Sequence, residues 1–423
     1  MLTAAENERL TRYGINTPMG ELLRRYWHPI AGSAEAAGAA VRPVRILGED
    51  LVLFRDRQGT LGLVVDRCPH RGAQMRYGIP ENEGLRCPYH GRVFSSEGTC
   101  LETPSDRAAD GAPWNGQIRA YPVEELSGLV FAYLGPEPVP HLPKWEYFVR
   151  QDFIKQIGYM RVPCNWLQVA ENALDLEHLY WLHVHYANWA LDSKGVSDND
   201  PRREQARFFS EFKDCDYDFE AYEHGIMRWY GESLKHEGDA ALKLPVVFPS
   251  LAVVVGPGEY TMNFRVPIDD EETLYLSYMC FQPAGVPIPV QDEIPCFEVP
   301  VISPDGECLV DFQNGQDAMI WLTQGVIADR QKEILGREDK GVVMLRRMIE
   351  EQLERVTAGE DPMNVFREPP EGDYIPFNLG EAPQRSSYTK GAACGPYGPA
   401  DSPIEAQIDD LFFAPVRSVQ GSR

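Results

Sequence analysis

Two short segments, Cys68-Pro69-His70-Arg71-Gly72 and Cys87-Pro88-Tyr89-His90-Gly91, constrain this chain more than any other feature. They read Cys-x-His and Cys-x-x-His, and each carries a proline and a glycine that place it on a tight turn. Two such loops fold around a metal centre. A zinc ion accepts the same residue types, but zinc spacings group two cysteines in one pair and two histidines in the other. Here each loop mixes one of each.

Mixed pairs fit a Rieske [2Fe–2S] centre, in which two thiolates hold one iron and two imidazoles hold the other. Such a centre passes single electrons, so Cys68, His70, Cys87 and His90 are its expected ligands. Backbone N–H groups in tight loops can point at the cluster sulfurs and tune the potential. Arg67, Arg71, Arg76, Arg86 and Arg92 crowd this region against Asp66, Glu81 and Glu83. They read either as a docking face for an acidic electron donor or as ordinary solvated arginines.

A cluster module alone would leave most of the 423 residues unexplained, and with 43% hydrophobic content the chain can bury at least two cores. A formal charge of −24 disfavours nucleic-acid phosphates. The nine cysteines are scattered and odd in number, unlike a disulfide framework. With no apolar signal core in MLTAAENERLTRYG and no membrane-length apolar run, the expected location is the cytoplasm.

The pattern divides the chain into three parts. Residues 1–140 open with a helix capped by Thr17-Pro18 and continue as period-two hairpins. Leu51–Phe54 pairs with Leu61–Val65, and Val93-Phe94 with Thr99–Leu101, which leaves the cluster loops at hairpin tips. The proline-rich LGPEPVPHLPKWEYF marks the boundary to residues 141–360. There Trp166 to about Leu191 has a helical pattern, 260–266 and 273–279 form a hairpin, and helices are expected over Asp317–Leu335 and Asp339–Ala358. Residues 361–423 read as an extended tail.

The middle part contains a second set of metal ligands. Two imidazoles and one carboxylate form the facial triad of non-heme Fe(II) oxygenases, and His178 and His183 are candidates. Five residues apart, they stand about 140° from each other on an ideal α-helix. Either the helix carries a π-bulge or a break there, or His185 replaces His183. Two core histidines without metal are the bland alternative.

The loops Cys-Pro-His-Arg-Gly and Cys-Pro-Tyr-His-Gly, followed by Glu171-Asn172-x-x-Asp175-x-x-His178-x4-His183, resemble the oxygenase component of Rieske non-heme iron oxygenases, over most of the chain. The resemblance implies an α+β fold: an N-terminal antiparallel β Rieske domain and a helix-grip-like catalytic domain of antiparallel sheet and helices. It implies His178 and His183 as ligands of a mononuclear Fe(II), with Asp175 as a carboxylate bridging His178 to a cluster histidine, His90, of another subunit. NGQDAMIWLTQGVIADRQKEILG resembles the Gln-Asp region of the phthalate dioxygenase-like group, which points to Asp317 as third ligand. An N-cap role is the alternative for Asp317, and Asp311 and Asp329 are rivals. The family assembles as head-to-tail trimers, which can stack into hexamers.

Without a GxGxxG fingerprint, the chain needs a separate NADH-dependent reductase, with or without a ferredoxin. MLTAAENERLTRYGINTPMGELLRRYW, ENALDLEHLYWLHVHYANWALDSKG and FRVPIDDEET resemble the branch holding phthalate dioxygenase and 5,5'-dehydrodivanillate O-demethylase. That branch implies an aromatic acid, and either O-demethylation with formaldehyde release or cis-dihydroxylation; the stretch after His183 leans toward demethylation. A substrate carboxylate requires a cation, for which Arg207 and Arg228 are the guesses. A zinc-stabilised module and a pure electron carrier are the other readings.

Overall fold

The computed structural model describes residues 2–104, 116–213, 215–230, 243–256, 258–283, 286–379 and 402–413. The fold is α+β. Thr17 caps the helix Pro18–Leu23 through its hydroxyl, with Pro18 in the first turn. Small antiparallel sheets follow. Val41–Ile46, Glu49–Arg55, Leu61–Val65 and Ala120–Tyr121 make one of four strands, with Leu53 opposite Leu63. Ile79–Pro80, Leu85–Arg86, Val93–Phe94 and Cys100–Glu102 make another. Phe54, Phe94, Leu85 and Met75 bury themselves between the two, next to Cys68 and Cys87.

Beyond it lies an eight-stranded sheet in the order Tyr217–Tyr222, Gly225–Tyr230, Lys243–Val247, Leu251–Gly256, Glu259–Asp269, Glu272–Phe281, Ile154–Val162, Cys296–Glu298. Every pair is antiparallel except the last. The expected hairpin is present, with Asn263 opposite Ser277 and Arg265 opposite Tyr275, so these four share one face. The 18-residue helix Lys340–Thr357 buries Val342, Leu345, Ile349 and Leu353.

Four features differ from the sequence expectation. An N-terminal helix, Ala4–Thr11, capped by the Thr3 hydroxyl, precedes the one that was expected to open the chain. The helix from Trp166 stops at Asn172 and resumes at His178. The Asp317 helix runs Gln313–Thr323, starting earlier because Gly315 lets it press against the Leu309 carbonyl, where a Cβ would clash. It ends where Gly325 takes φ 94°. In the C-terminal part, Glu405–Phe413 is a helix where extended chain was expected; its Ile408 joins Met279, Phe281 and Val299 in a second core.

Candidate metal sites

The two cysteine–histidine loops are built alike. Each closes with a backbone hydrogen bond from glycine to cysteine, Gly72 to Cys68 at 2.8 Å and Gly91 to Cys87 at 3.1 Å. Both glycines have positive φ, 71° and 74°, which side-chain-bearing residues rarely adopt. The second loop is the tip of the hairpin that pairs Arg86 with Val93. Cys68 and Cys87 are buried, whereas His70 is exposed and His90 partly so.

The donors sort by type. The thiols of Cys68 and Cys87 interact directly, and the rings of His70 and His90 lie 4.6 Å apart. Burial pushes the Cys68 thiol up, while backbone N–H groups of His70 and Arg71 hydrogen-bond its sulfur and oppose that. Among the described residues, donor atoms of three or more His, Cys, Asp or Glu gather within 4.8 Å only at His178, His183 and Asp317. The cysteine–histidine quartet is therefore not drawn around a single point, as a zinc ion would require. Sulfurs together inside and imidazoles together outside is the arrangement of a two-iron cluster with its histidine-held iron toward solvent.

Two of the arginines proposed for donor docking are engaged elsewhere. Arg76 is paired with buried Asp66, and Arg86 with Glu81 and with Glu102, the latter at 2.7 Å. Both brace the cluster hairpins. Arg71 is exposed and lies over the Tyr89 ring at 5.5 Å, and Arg67 is exposed too.

The backbone removes the conflict between helical period and the five-residue spacing of the histidines. Trp181–Tyr186 is a π-helix, whose wider turn brings residues five apart onto one side. His178 and His183 thus meet, with ring centroids 5.1 Å apart, while His185 is exposed. Asp317 comes from the helix Gln313–Thr323. Phe312 is the N-cap of that helix, so Asp317 is not. Its Oδ1 lies 3.3 Å from His183 Nε2 and 3.6 Å from His178 Nε2. The rivals are occupied on the surface: Asp311 by Lys194 and Arg202, Asp329 by Lys332.

Both rings are oriented from behind. His178 Nδ1–H donates to the Asp175 carbonyl at 2.6 Å, and His183 Nδ1–H to Gln316 Oε1 at 2.9 Å. Gln316 is itself held by donating to the Val310 carbonyl. Each ring then turns an Nε2 lone pair inward. The 3.3 Å approach between His183 Nε2 and Asp317 Oδ1 lacks hydrogen-bond geometry, and both buried atoms stay without a partner. Buried unpaired acceptors aimed at one point fit a cation. Burial disfavours the charged form of all three residues. In His178 it prevails and lowers the pKa; in His183 the Asp317 carboxylate outweighs it, and in Asp317 the histidines do.

Asp175 differs from expectation. Its backbone oxygen orients His178, while its carboxylate stands 4.0 Å from Nδ1 and is 41% exposed. That leaves the carboxylate free to meet a group arriving from outside. Of the residues guessed for an anionic substrate, Arg228 spends its nitrogens on the carbonyls of Leu244, Ala173 and Val253, and Arg207 donates to the Asp198 carbonyl. Arg265, not anticipated, shares the sheet face beneath the helices. It is buried, lies over the Tyr275 ring at 5.1 Å, and has its Nε unpaired and no carboxylate partner among the described residues. Phe209, with its ring 5.2 Å from that of His183, also escaped the sequence reading.

Residues 26–122 match the model of the Rieske [2Fe-2S] domain. The chain is 39% identical over 386 residues to the 5,5'-dehydrodivanillate O-demethylase oxygenase subunit of Sphingobium sp. (strain NBRC 103272 / SYK-6), covering 89% of this chain and 86% of that one. It is 34% identical to the phenoxybenzoate dioxygenase subunit alpha of Ectopseudomonas oleovorans, covering 84% and 87%. A solved structure of the Pseudomonas putida CBB5 NdmA QL mutant with caffeine shares the fold, at a TM-score of 0.60 and 18% identity, over 85% of this chain and 99% of that one.

Proposed function

Because the chain belongs to the oxygenase subunits of the Rieske non-heme iron oxygenases, we propose that it demethylates a methoxylated, lignin-derived aromatic acid of the dehydrodivanillate type. One oxygen atom of O2 enters the methyl C–H bond, giving a hemiacetal that collapses to a phenol and formaldehyde. The other leaves as water, with two electrons from NADH. The observation that carries the reading is the convergence of His178, His183 and Asp317, with His183 Nε2 and Asp317 Oδ1 buried and without a hydrogen-bond partner.

In this reading Cys68, His70, Cys87 and His90 hold the [2Fe–2S] cluster, and His178, His183 and Asp317 hold Fe(II). When bound, the cluster supplies single electrons and the ferrous ion activates O2. The chain supplies the rest. The Asp175 carbonyl and Gln316 fix both imidazole tautomers, so that neither ring presents a proton to the metal side. Phe209 covers His183 and keeps water from that ring. Arg265 offers the substrate carboxylate a buried guanidinium whose Nε has no other acceptor, and such charge-assisted bonds are strong.

Asp175 is the residue we assign to electron entry. Its exposed carboxylate can accept a hydrogen bond from the surface imidazole of a second subunit's His90 while its backbone holds His178. A head-to-tail homotrimer supplies that second subunit, and trimers can stack into hexamers. A separate NADH-dependent reductase, directly or through a ferredoxin, feeds the exposed His70 side. No described helix is long and apolar enough to cross a membrane, and a cytoplasmic location is part of the same proposal.

Cis-dihydroxylation is the second reading, favoured by the phenoxybenzoate dioxygenase relative. Turnover of methoxylated and plain aromatic acids with a surrogate reductase separates the two. Stoichiometric formaldehyde supports demethylation, and a dihydrodiol without formaldehyde removes it.

A further inference from the structure

We infer that Glu171 is a positioning residue for the metal triad, gripped by Arg330 and Arg346 and supported from outside by Asn7 of the N-terminal helix. This rests on the reading that His178, His183 and Asp317 hold iron. The histidines and the aspartate sit on separate elements, so the distance between them depends on what ties the helix Trp166–Asn172 to the helix Gln313–Thr323 and its continuation.

Two buried side chains make that tie. Gln168 donates to the carbonyls of Trp321 and Gly325, at 2.7 and 2.8 Å, and accepts from the Ala328 N–H. One turn further, the Glu171 carboxylate receives Arg330 through Nε at 3.1 Å and Nη2 at 2.7 Å, and Arg346 through Nε at 2.7 Å. Arg346 forks onto Glu333 at 2.7 and 3.0 Å, so two carboxylates balance two guanidiniums. The segment leaving the Asp317 helix is thereby locked to the end of the helix that leads into the histidines.

That end is where small rotations count. Glu171 precedes Asn172, whose amide lies 3.4 Å from His178 Nε2, and lies four residues before Asp175, whose carbonyl sets the His178 ring. Directional bonds to a buried carboxylate fix the helix end in rotation as well as in distance, which apolar packing does less sharply. The two guanidiniums also hold the Glu171 carboxyl below the usual range despite its burial, so it stays an anion rather than a proton donor.

The outermost member comes from the cluster half of the chain. Asn7 accepts from Arg330 Nη1 at 3.2 Å and donates to the Ala328 carbonyl at 3.1 Å, and the Leu2 N–H donates to the Arg330 carbonyl. Asn7 is only partly buried and touches neither metal site. The N-terminal helix thus braces the arginine that braces Glu171.

The test is anaerobic Fe(II) titration of protein with an intact cluster and an emptied mononuclear site. It compares native protein with Asn7→Ala, Asn7→Asp, Glu171→Gln and Asp317→Ala, each well below its own Tm. Glu171→Gln is expected to weaken Fe(II) binding about ten-fold, and Asn7→Ala several-fold, with the cluster absorption unchanged. Asn7→Asp keeps the acceptor for Arg330 but loses the donor to the Ala328 carbonyl, and should bind more tightly than Asn7→Ala. Asp317→Ala should lose the site altogether. If Asn7→Ala and Glu171→Gln lower Tm but bind Fe(II) with native affinity, the network is structural only and the inference is overturned. If Glu171→Gln does not fold, Asn7→Ala alone decides in the same way. Retained Fe(II) in Asp317→Ala overturns instead the site reading on which this one rests.

Discussion

Replacing Gln316 by leucine removes the one acceptor that the described residues offer the His183 Nδ1 proton. His183 is 2% exposed, so water does not substitute. A buried donor left without a partner costs about 1–3 kcal/mol. The metal-free ring can avoid that cost by moving its proton to Nε2, beside Asp317 Oδ1; the metal-bound ring cannot. The penalty therefore falls on the bound state, and at about 1.4 kcal/mol per factor of ten the loss in Fe(II) affinity is about 5- to 150-fold. Gln316→Glu keeps the acceptor for His183 but loses the donor to the Val310 carbonyl, and should retain more affinity than the leucine variant. Anaerobic titration with the cluster absorption as internal control reads both. Leucine-variant affinity within a factor of two of native would refute the reasoning that the amide fixes the imidazole.

Further predictions follow from the same geometry. His183→Ala abolishes turnover and mononuclear iron, whereas His185→Ala leaves both unchanged, as metal analysis will report. Arg265→Met raises KM for carboxylated substrates about ten-fold or more with a smaller change in kcat, a loss expected when a buried charge-assisted bond is removed; an unchanged KM would clear Arg265 of substrate binding. Burial lifts Glu259 from 4.5 to about 7, against the hydrogen bond from Thr261. A carboxyl with a raised folded-state pKa destabilises as pH climbs from its unfolded value through its folded one, so Glu259→Gln should gain stability at pH 8 relative to pH 5, by at most about 3 kcal/mol. Equal denaturation midpoint shifts at both pH values would contradict this. Arg86→Gln, which breaks pairs to Glu81 and Glu102, should lower cluster retention on heating more than it slows reduction by a partner.

What the sequence disclosed was what depends on neighbours along the chain. Cys68, His70, Cys87 and His90 are set by loop spacing, and the hairpins by alternation, so both could be read directly. The histidine pair could not be settled by helical period, because the π-turn at Trp181–Tyr186 departs from that period; resemblance chose His183, and the turn supplies the reason. Asp317 was reached by resemblance too, while the helix start remained hidden because Gly315 packs against Leu309, a contact invisible to local pattern. Gln316, Phe209 and Arg265 were missed because a glutamine, a phenylalanine and a strand arginine carry no signal until cross-strand register and helix packing bring them to the site. The same blindness made Arg76 and Arg86 look free when Asp66, Glu81 and Glu102 hold them.

The central claim is that one chain carries both a sulfide-bridged iron pair and a separate ferrous ion. Iron and acid-labile sulfide should be measured side by side in anaerobically prepared native protein and in His178→Ala. The account predicts labile sulfide in equal amount in both, and a loss of iron in the variant confined to the part not accounted for by the cluster. Protein with zinc at the cysteine–histidine loops and no labile sulfide, or a variant with undiminished iron, would contradict it.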